Sequence, residues 1–241
     1  MSFGQPSTAD PSFLSPLETS WTLIEAAAEK DRDARETFAN RYLICVRAYL
    51  IARWRGTNYL QFLDDTIQDV FLACFRADSP LRRADRRIPS GFRPYLYAVV
   101  RNVARKVERG VRTGLVRTSK CELADEVRAD DASLSVVYDR SWARCIMRQA
   151  VEHQFAEARK RGASALRRVE LLRLRFQQGL PIRDIATRWN VDARWLHHEY
   201  AKARQEFKDS LLQVIAEHHS CATASQAVLE SEGRELLSLL R

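Results

Sequence analysis

Residues 179–207 read GLPIRDIATRWNVDARWLHHEYAKARQEF, and this stretch decides the fold that the sequence predicts. Apolar residues recur at three- and four-residue spacing over 182–189 and again over 196–207, which predicts two amphipathic helices. Residues 190–191 form a tight turn between them. Asp192 is well suited to begin the second helix, because its carboxylate can accept hydrogen bonds from the first free amides of that helix.

The second predicted helix has a polar outer face. Two helices that meet at such a turn are typical of proteins that present the second helix to the major groove of DNA. Side chains near the start of that helix reach base edges, while other cations contact phosphates. An antiparallel hairpin in an ordinary helical bundle, with solvated cations, is the alternative interpretation. The candidate DNA contacts are Arg194, Trp195, His197 and His198 for bases, and Lys202 and Arg204 for phosphates.

The charge of the chain is positive and unevenly distributed. The 241 residues carry a net charge of +8, and the isoelectric point is near 9.5. Residues 76–120 hold 13 Lys and Arg against three Asp and Glu, whereas residues 121–139 hold one Arg against six acids. The positive segment favours nucleic acid as a partner, because counterions released from phosphates favour binding. A solvated basic surface is the alternative.

The remaining composition excludes several classes of protein. Five scattered cysteines form no disulfide framework, and no apolar run approaches the ~20 residues of a membrane span. We therefore expect a cytoplasmic protein without a signal peptide. His218, His219 and Cys221 lie close together, but we interpret them as part of a polar spacer and not as a metal site. We expect no enzyme activity, no cofactor and no bound metal.

Helical periodicity without strand-like alternation predicts an all-α protein with two small helical domains. The first helix of the second domain is expected at about 140–160. The short C-terminal amphipathic helix is expected to pack on the second domain. The predicted segments are a disordered arm at 1–20, a helical domain at 21–110, an acidic linker at 111–139, a helix-turn-helix domain at 140–210 and a C-terminal extension at 211–241.

Residues 64–76 (DDTIQDVFLACFR) predict a helix with an acidic, amide-bearing outer face opposite an apolar one. Such a surface beside a basic segment suits a protein partner better than DNA. A simpler interpretation is that the first two aspartates only complement the helix dipole. The candidate protein contacts are Asp64, Asp65, Gln68, Asp69 and Arg76.

Residues 92–109 (FRPYLYAVVRNVARKVER) predict a basic helix that follows an arginine-rich loop. Aromatic rings among cations suit single-stranded nucleic acid, because bases stack on the rings while a basic groove follows the backbone. Core packing of the rings is the alternative. The candidate residues for melted DNA are Arg82, Arg83, Arg86, Arg87, Phe92, Tyr95, Tyr97, Arg101, Asn102, Arg105, Lys106 and Arg109.

These three stretches, in this order and spacing, resemble the extracytoplasmic-function group of bacterial sigma factors over roughly residues 20–210. In that family the first block docks on the clamp helices of RNA polymerase, the second melts the promoter-proximal element and the third reads the upstream element. The resemblance implies a sigma factor with core RNA polymerase and promoter DNA as partners. It leaves open an anti-sigma factor as a further partner.

The chain departs from the family pattern in the helix that would read the upstream element. Trp195, His197 and Glu199 stand where the family has Thr, Lys and Arg. An acid at 199 can accept a hydrogen bond from a cytosine amine, so we expect these positions to set a distinct promoter preference. Two other functions stay open, namely a stand-alone helix-turn-helix regulator and a protein-binding helical adaptor.

Overall fold

The computed structural model describes residues 23–24, 26–27, 29, 31–75, 92–113, 131–218 and 225–240. These residues form helices and turns with no strand among them, which confirms the all-α prediction. The helices bounded within these ranges are α1 (Arg32–Arg53), α2 (Leu63–Cys74, preceded by a 3-10 helix at Asn58–Phe62), α3 (Phe92–Arg112), α4 (Asp131–Arg161), α5 (Ala163–Phe176), α6 (Ile182–Trp189), α7 (Ala193–His218) and α8 (Gln226–Leu239).

Short-range signals in the sequence determine where several helices begin and end. The carboxylate of Asp31 accepts hydrogen bonds from the amides of Asp33 and Ala34, at 2.9 and 3.1 Å, and so caps the start of α1. Gly162 separates α4 from α5 with a φ of 93°, a conformation that side chains with a Cβ rarely adopt. These ends therefore depend on residues that are neighbours in the chain.

A large hydrophobic core is built from α1 to α4, the second half of α7 and α8. A cluster of aromatic rings lies at its centre. Tyr42 packs at centroid distances of 4.9 Å from Phe38 and from Phe92, and 5.6 Å from Trp142. The ring of His218, at the end of α7, lies 5.4 Å from that of Trp142. The cluster thus joins side chains from the first 100 residues to side chains near the C-terminus.

A smaller core joins α5, α6 and the start of α7. All of its central side chains are aliphatic, and none of them is more than 8% exposed. This core keeps α6 and α7 in a fixed relation to α5. Its central residues are Leu171, Leu174, Ile182, Ile185, Ala186 and Leu196.

The two cores do not divide the chain at the expected linker. Helix α4 begins at Asp131 and not near residue 140, because Leu134, Tyr138 and Trp142 form a buried stripe that packs on the large core. Helix α7 continues for 26 residues from the small core into the large one. Helix α7 therefore connects the two cores, while α4 packs on the large core. Of the expected linker, residues 114–130 lie outside the described residues, as does the arm at 1–20.

The C-terminal part of the chain agrees with one prediction, because α8 packs against α7 and α4 of the expected second domain, and differs from another. Helix α8 packs on the large core, where Gly233 allows a close approach to Leu212 and Ile215. His218 is not part of a spacer: it is the buried last residue of α7, and its ring nitrogens lie 3.1 Å from the Tyr42 hydroxyl and 2.7 Å from a backbone oxygen. Its predicted neighbours at 219 and 221 lie outside the described residues.

Candidate nucleic-acid interface

Helices α6 and α7 meet at a three-residue turn. Asn190 ends α6 in the left-handed region, with φ 51° and ψ 52°, and asparagine tolerates that conformation better than most residues. The amide of Val191 donates to the carbonyl of Ala186 at 3.0 Å, which completes the end of α6. The carboxylate of Asp192 accepts a hydrogen bond from the Trp195 amide at 2.8 Å, so the predicted cap of α7 is confirmed.

The first half of α7 has one buried side and one exposed side. Leu196 and Ala203 are fully buried, and they place the opposite side of the helix in solvent. Lys202 remains half-exposed although its ammonium lies 3.0 Å from Glu199, and the Arg204 guanidinium lies over the ring of Tyr200 at 5.8 Å. The structure brings all six predicted upstream-element contacts to this exposed side, which we call the outer face of α7: Arg194, Trp195, His197, His198, Lys202 and Arg204.

Glu199 is not available as the base contact that the sequence suggested. Its side chain is only 13% exposed, and its carboxylate lies 3.2 Å from the Arg168 guanidinium of α5. Arg168 also pairs with Glu206 at 2.8 Å, so one arginine connects α5 to two acids of α7. The hydrogen bond from Lys202, and then the one from Arg168, hold the pKa of Glu199 below its usual range. This acid therefore stabilises the packing of α7.

Arg167 is a residue that the sequence analysis missed. Its guanidinium lies over the ring of Trp189, at the end of α6, and over the ring of Trp195, in the first turn of α7, at 4.8 and 5.5 Å from the two centroids. Nothing in the local pattern around residue 167 indicates this contact. Both rings come from other helices and reach Arg167 only through tertiary packing.

The aromatic residues at the start of α3 correct a second prediction. Phe92 is 1% exposed and lies in the large core, so it offers no ring face on which a base could stack. Tyr97 packs against Tyr49 and Tyr138 at 5.5 and 5.1 Å, and Tyr95 packs against Phe92. Phe92 thus belongs to the core, and Tyr95 and Tyr97 are partly buried against it, because α3 begins with Phe92 directed toward α1 and α4.

The cations of α3 are better placed for a contact with DNA. Four of the predicted polar residues are exposed, and Arg101 is half-buried. Glu108, the acid within this helix, is 5% exposed and turned toward α1, so it does not neutralise the surface. We call the exposed residues the outer face of α3: Asn102, Arg105, Lys106 and Arg109. The predicted loop contacts lie outside the described residues: Arg82, Arg83, Arg86 and Arg87.

The acidic face of α2 is exposed as predicted. Thr66, Ile67 and Val70 are buried on the opposite side of this helix. Asp64 lies 3.1 Å from Arg47 of α1, and both side chains are at least half-exposed. The exposed residues of this face are Asp64, Asp65, Gln68 and Asp69, with Leu72 beside them, while Arg76 lies outside the described residues. The chain thus presents an acidic surface that also carries an amide and an apolar group.

Comparison with known proteins does not place this chain in a family. No family model, curated protein or solved structure matches the chain. Within the described residues, no group of three or more His, Cys, Asp or Glu side chains could hold a metal ion. No helix within the described ranges is both long enough and apolar enough to cross a bilayer.

Proposed function

We propose that this chain is a sigma factor of the extracytoplasmic-function type, which binds core RNA polymerase and directs promoter recognition, DNA melting and transcription initiation. The observation that carries the proposal is the outer face of α7, which begins at a capped helix end directly after a tight turn. A helix presented in this way fits the major groove of an upstream promoter element.

The other two exposed faces support the proposal through their chemistry. The outer face of α3 carries cations without a neighbouring exposed acid on the same helix, which suits contact with a DNA backbone. The α2 face offers carboxylates, an amide and the exposed Leu72, and this mixture suits a basic and partly apolar protein surface. A sigma factor needs one surface of each kind on a single chain.

Replacing Gln68 and Asp69 together by alanine is expected to weaken binding to core RNA polymerase by about tenfold or more. Both side chains are exposed on α2, so their loss removes polar contacts without disturbing the core. The dissociation constant of the complex with core polymerase, measured by fluorescence anisotropy, tests this. The matched control is Asp209→Ala with Gln213→Ala, an exposed acid and amide on α7. Equal affinities for the two variants would contradict the assignment of α2.

Replacing Arg194 by alanine is expected to reduce discrimination at one base pair of the upstream element by about 1–3 kcal/mol, the range for a bidentate arginine–guanine contact. Arg194 is exposed in the first turn of α7. The measurement is holoenzyme affinity for a panel of duplexes with single base-pair changes. Arg173→Ala, which removes an exposed arginine of α5, is the control. Base preference that is unchanged at every position would exclude Arg194 as a reader.

A stand-alone DNA-binding regulator is the second candidate. The observation in its favour is the continuity of α7 through both cores, since such a body can present the start of α7 without polymerase. Reconstitution of the chain with core polymerase, followed by mapping of transcript starts, separates the two functions. A sigma factor produces specific starts. A regulator instead binds a duplex by itself, usually as a dimer on a palindrome, and produces no new start.

A further inference from the structure

Trp195 occupies an unusual position in the first turn of α7. The residue is 44% exposed and follows Arg194, at the edge of the outer face nearest to Glu199. The exposure of a large apolar side chain on a surface proposed to enter a DNA groove requires a physical explanation. The position of Arg167, which contacts the rings of both Trp189 and Trp195, provides one.

The space beside Trp195 is not filled by packing. A cavity of about 220 Å³ lies between α5, α6 and the start of α7, with Leu171 and Leu196 among its walls and both tryptophan rings at its border. Trp195 therefore borders unfilled space on this side of its ring. Tryptophan has only two side-chain torsions, so a contact on its ring face restricts much of its freedom. Arg167 makes that contact.

Arg167 is not required to hold α5 against α7. The adjacent Arg168 performs that task through Glu199 and Glu206, and the aliphatic small core lies beneath them. A cation over two aromatic faces contributes modestly to stability at an exposed site. Loss of this contact is therefore expected to cost little stability.

From this geometry we propose that Arg167 is a positioning residue, which holds Trp195 on the outer face of α7 so that its indole contacts the methyl group of a thymine in the upstream duplex. Thymine carries the apolar group of the unmodified bases in the major groove, and apolar side chains recognise it by contact. The proposal rests on the proposed function, because it requires α7 to enter that groove.

The test replaces thymine by deoxyuridine, which removes only the methyl group. Duplexes are first selected from a random pool with holoenzyme containing the unaltered chain, and each thymine of the selected site is then replaced in turn. At one position the replacement is expected to weaken binding about fourfold, the effect of losing one buried methyl group. Trp195→Ala is expected to bind the thymine and deoxyuridine duplexes equally well.

Variants of Arg167 show whether this residue positions the Trp195 ring or only attracts the DNA through its charge. Arg167→Ala is expected to reduce the fourfold ratio to less than twofold, while Arg167→Lys, which keeps a cation for the rings, retains most of it. If Arg167 only contacted a phosphate, its loss would weaken both duplexes equally and leave the ratio at fourfold, which would overturn the proposal. The control Arg173→Ala removes the same charge from α5 and is expected to leave the ratio unchanged.

The selection experiment gives different results if the role of Trp195 is wrong and if the proposed function is wrong. A selected site at which every deoxyuridine replacement is neutral would overturn the role of Trp195 and leave promoter recognition intact. If no sequence is selected at all, the proposed function itself is wrong. Thermal unfolding of Arg167→Ala and Trp195→Ala shows whether each variant is folded, and a folded Arg167→Ala that keeps the full ratio contradicts the proposal directly.

Discussion

Replacement of Glu108 by alanine is expected to lower the free energy of unfolding by about 3–5 kcal/mol, the cost of removing one partner from a buried ion pair. The carboxylate of Glu108 accepts hydrogen bonds from two nitrogens of Arg53, at 2.6 and 3.0 Å, and from the indole nitrogen of Trp54 at 3.0 Å. Its loss leaves a guanidinium and an indole N–H inside the protein without this acceptor. Because these bonds connect α3 to the end of α1, the outer face of α3 should also become more mobile.

Urea unfolding followed by circular dichroism measures this change in stability. Glu108→Gln keeps the size of the side chain and one acceptor for Trp54, so it is expected to cost less than Glu108→Ala. The control is Glu170→Ala, which breaks an exposed pair with Arg173 and is expected to cost less than about 1 kcal/mol. A loss below 1 kcal/mol for Glu108→Ala would mean that water reaches the Arg53 guanidinium and that α3 is not held by this pair.

Replacement of Trp142 by alanine is expected to destabilise the protein by about 3–5 kcal/mol, the usual range for a large aromatic side chain in a core. Trp142 is 2% exposed, and its ring stacks on Tyr42 with an angle of 9° between the two planes. It also contacts Phe92 and His218. The cavity left behind would open where α1, α3, α4 and α7 meet, so several helices lose packing at once.

The same urea measurement tests Trp142, with Trp142→Phe as a variant that fills much of the space and should cost about half as much. Trp195→Ala is the matched control, because it removes the same side chain from an exposed position. Equal losses for Trp142→Ala and Trp195→Ala would contradict a closed core around Trp142. A much larger loss for Trp142→Ala would support the aromatic cluster as the main connection between the N-terminal and C-terminal helices.

The features that could be predicted from the sequence are local ones. The cap at Asp192, the turn at Asn190 and the exposed side of α7 each depend on residues within a few positions along the chain. Hydrogen bonds and helical periodicity act over that range, so a one-dimensional pattern is sufficient. The exposed acids of α2 were predicted for the same reason, since four buried apolar residues determine the opposite face.

The features that could not be predicted depend on residues far apart in the chain. The basic, aromatic sequence around Phe92 also fits a nucleic-acid platform, and only its contacts with Phe38 and Tyr42 place the ring in the core. Likewise, only Arg168 shows that Glu199 is a packing residue. In each case a side chain suited to a ligand is instead satisfied by a partner from another helix.

The start of α4 could not be predicted from the sequence for a related reason. Weak periodicity in an acidic stretch suggested a linker over 111–139. The stripe of Leu134, Tyr138 and Trp142 forms a helix nevertheless, because packing on the large core outweighs weak local preference. Two of these residues, Leu134 and Tyr138, lie within the expected linker, where the acidic composition obscured them.

By itself the sequence determined an all-α chain, the capped start of α7 and the polar residues on its outer face, because these follow from helical periodicity and short-range hydrogen bonds. Only the tertiary structure decided that α7 runs through both cores, that Glu108 is buried against Arg53 and that Arg167 contacts Trp195. Those contacts join residues distant in the chain, and they depend on shape and on burial away from water, which no local pattern specifies.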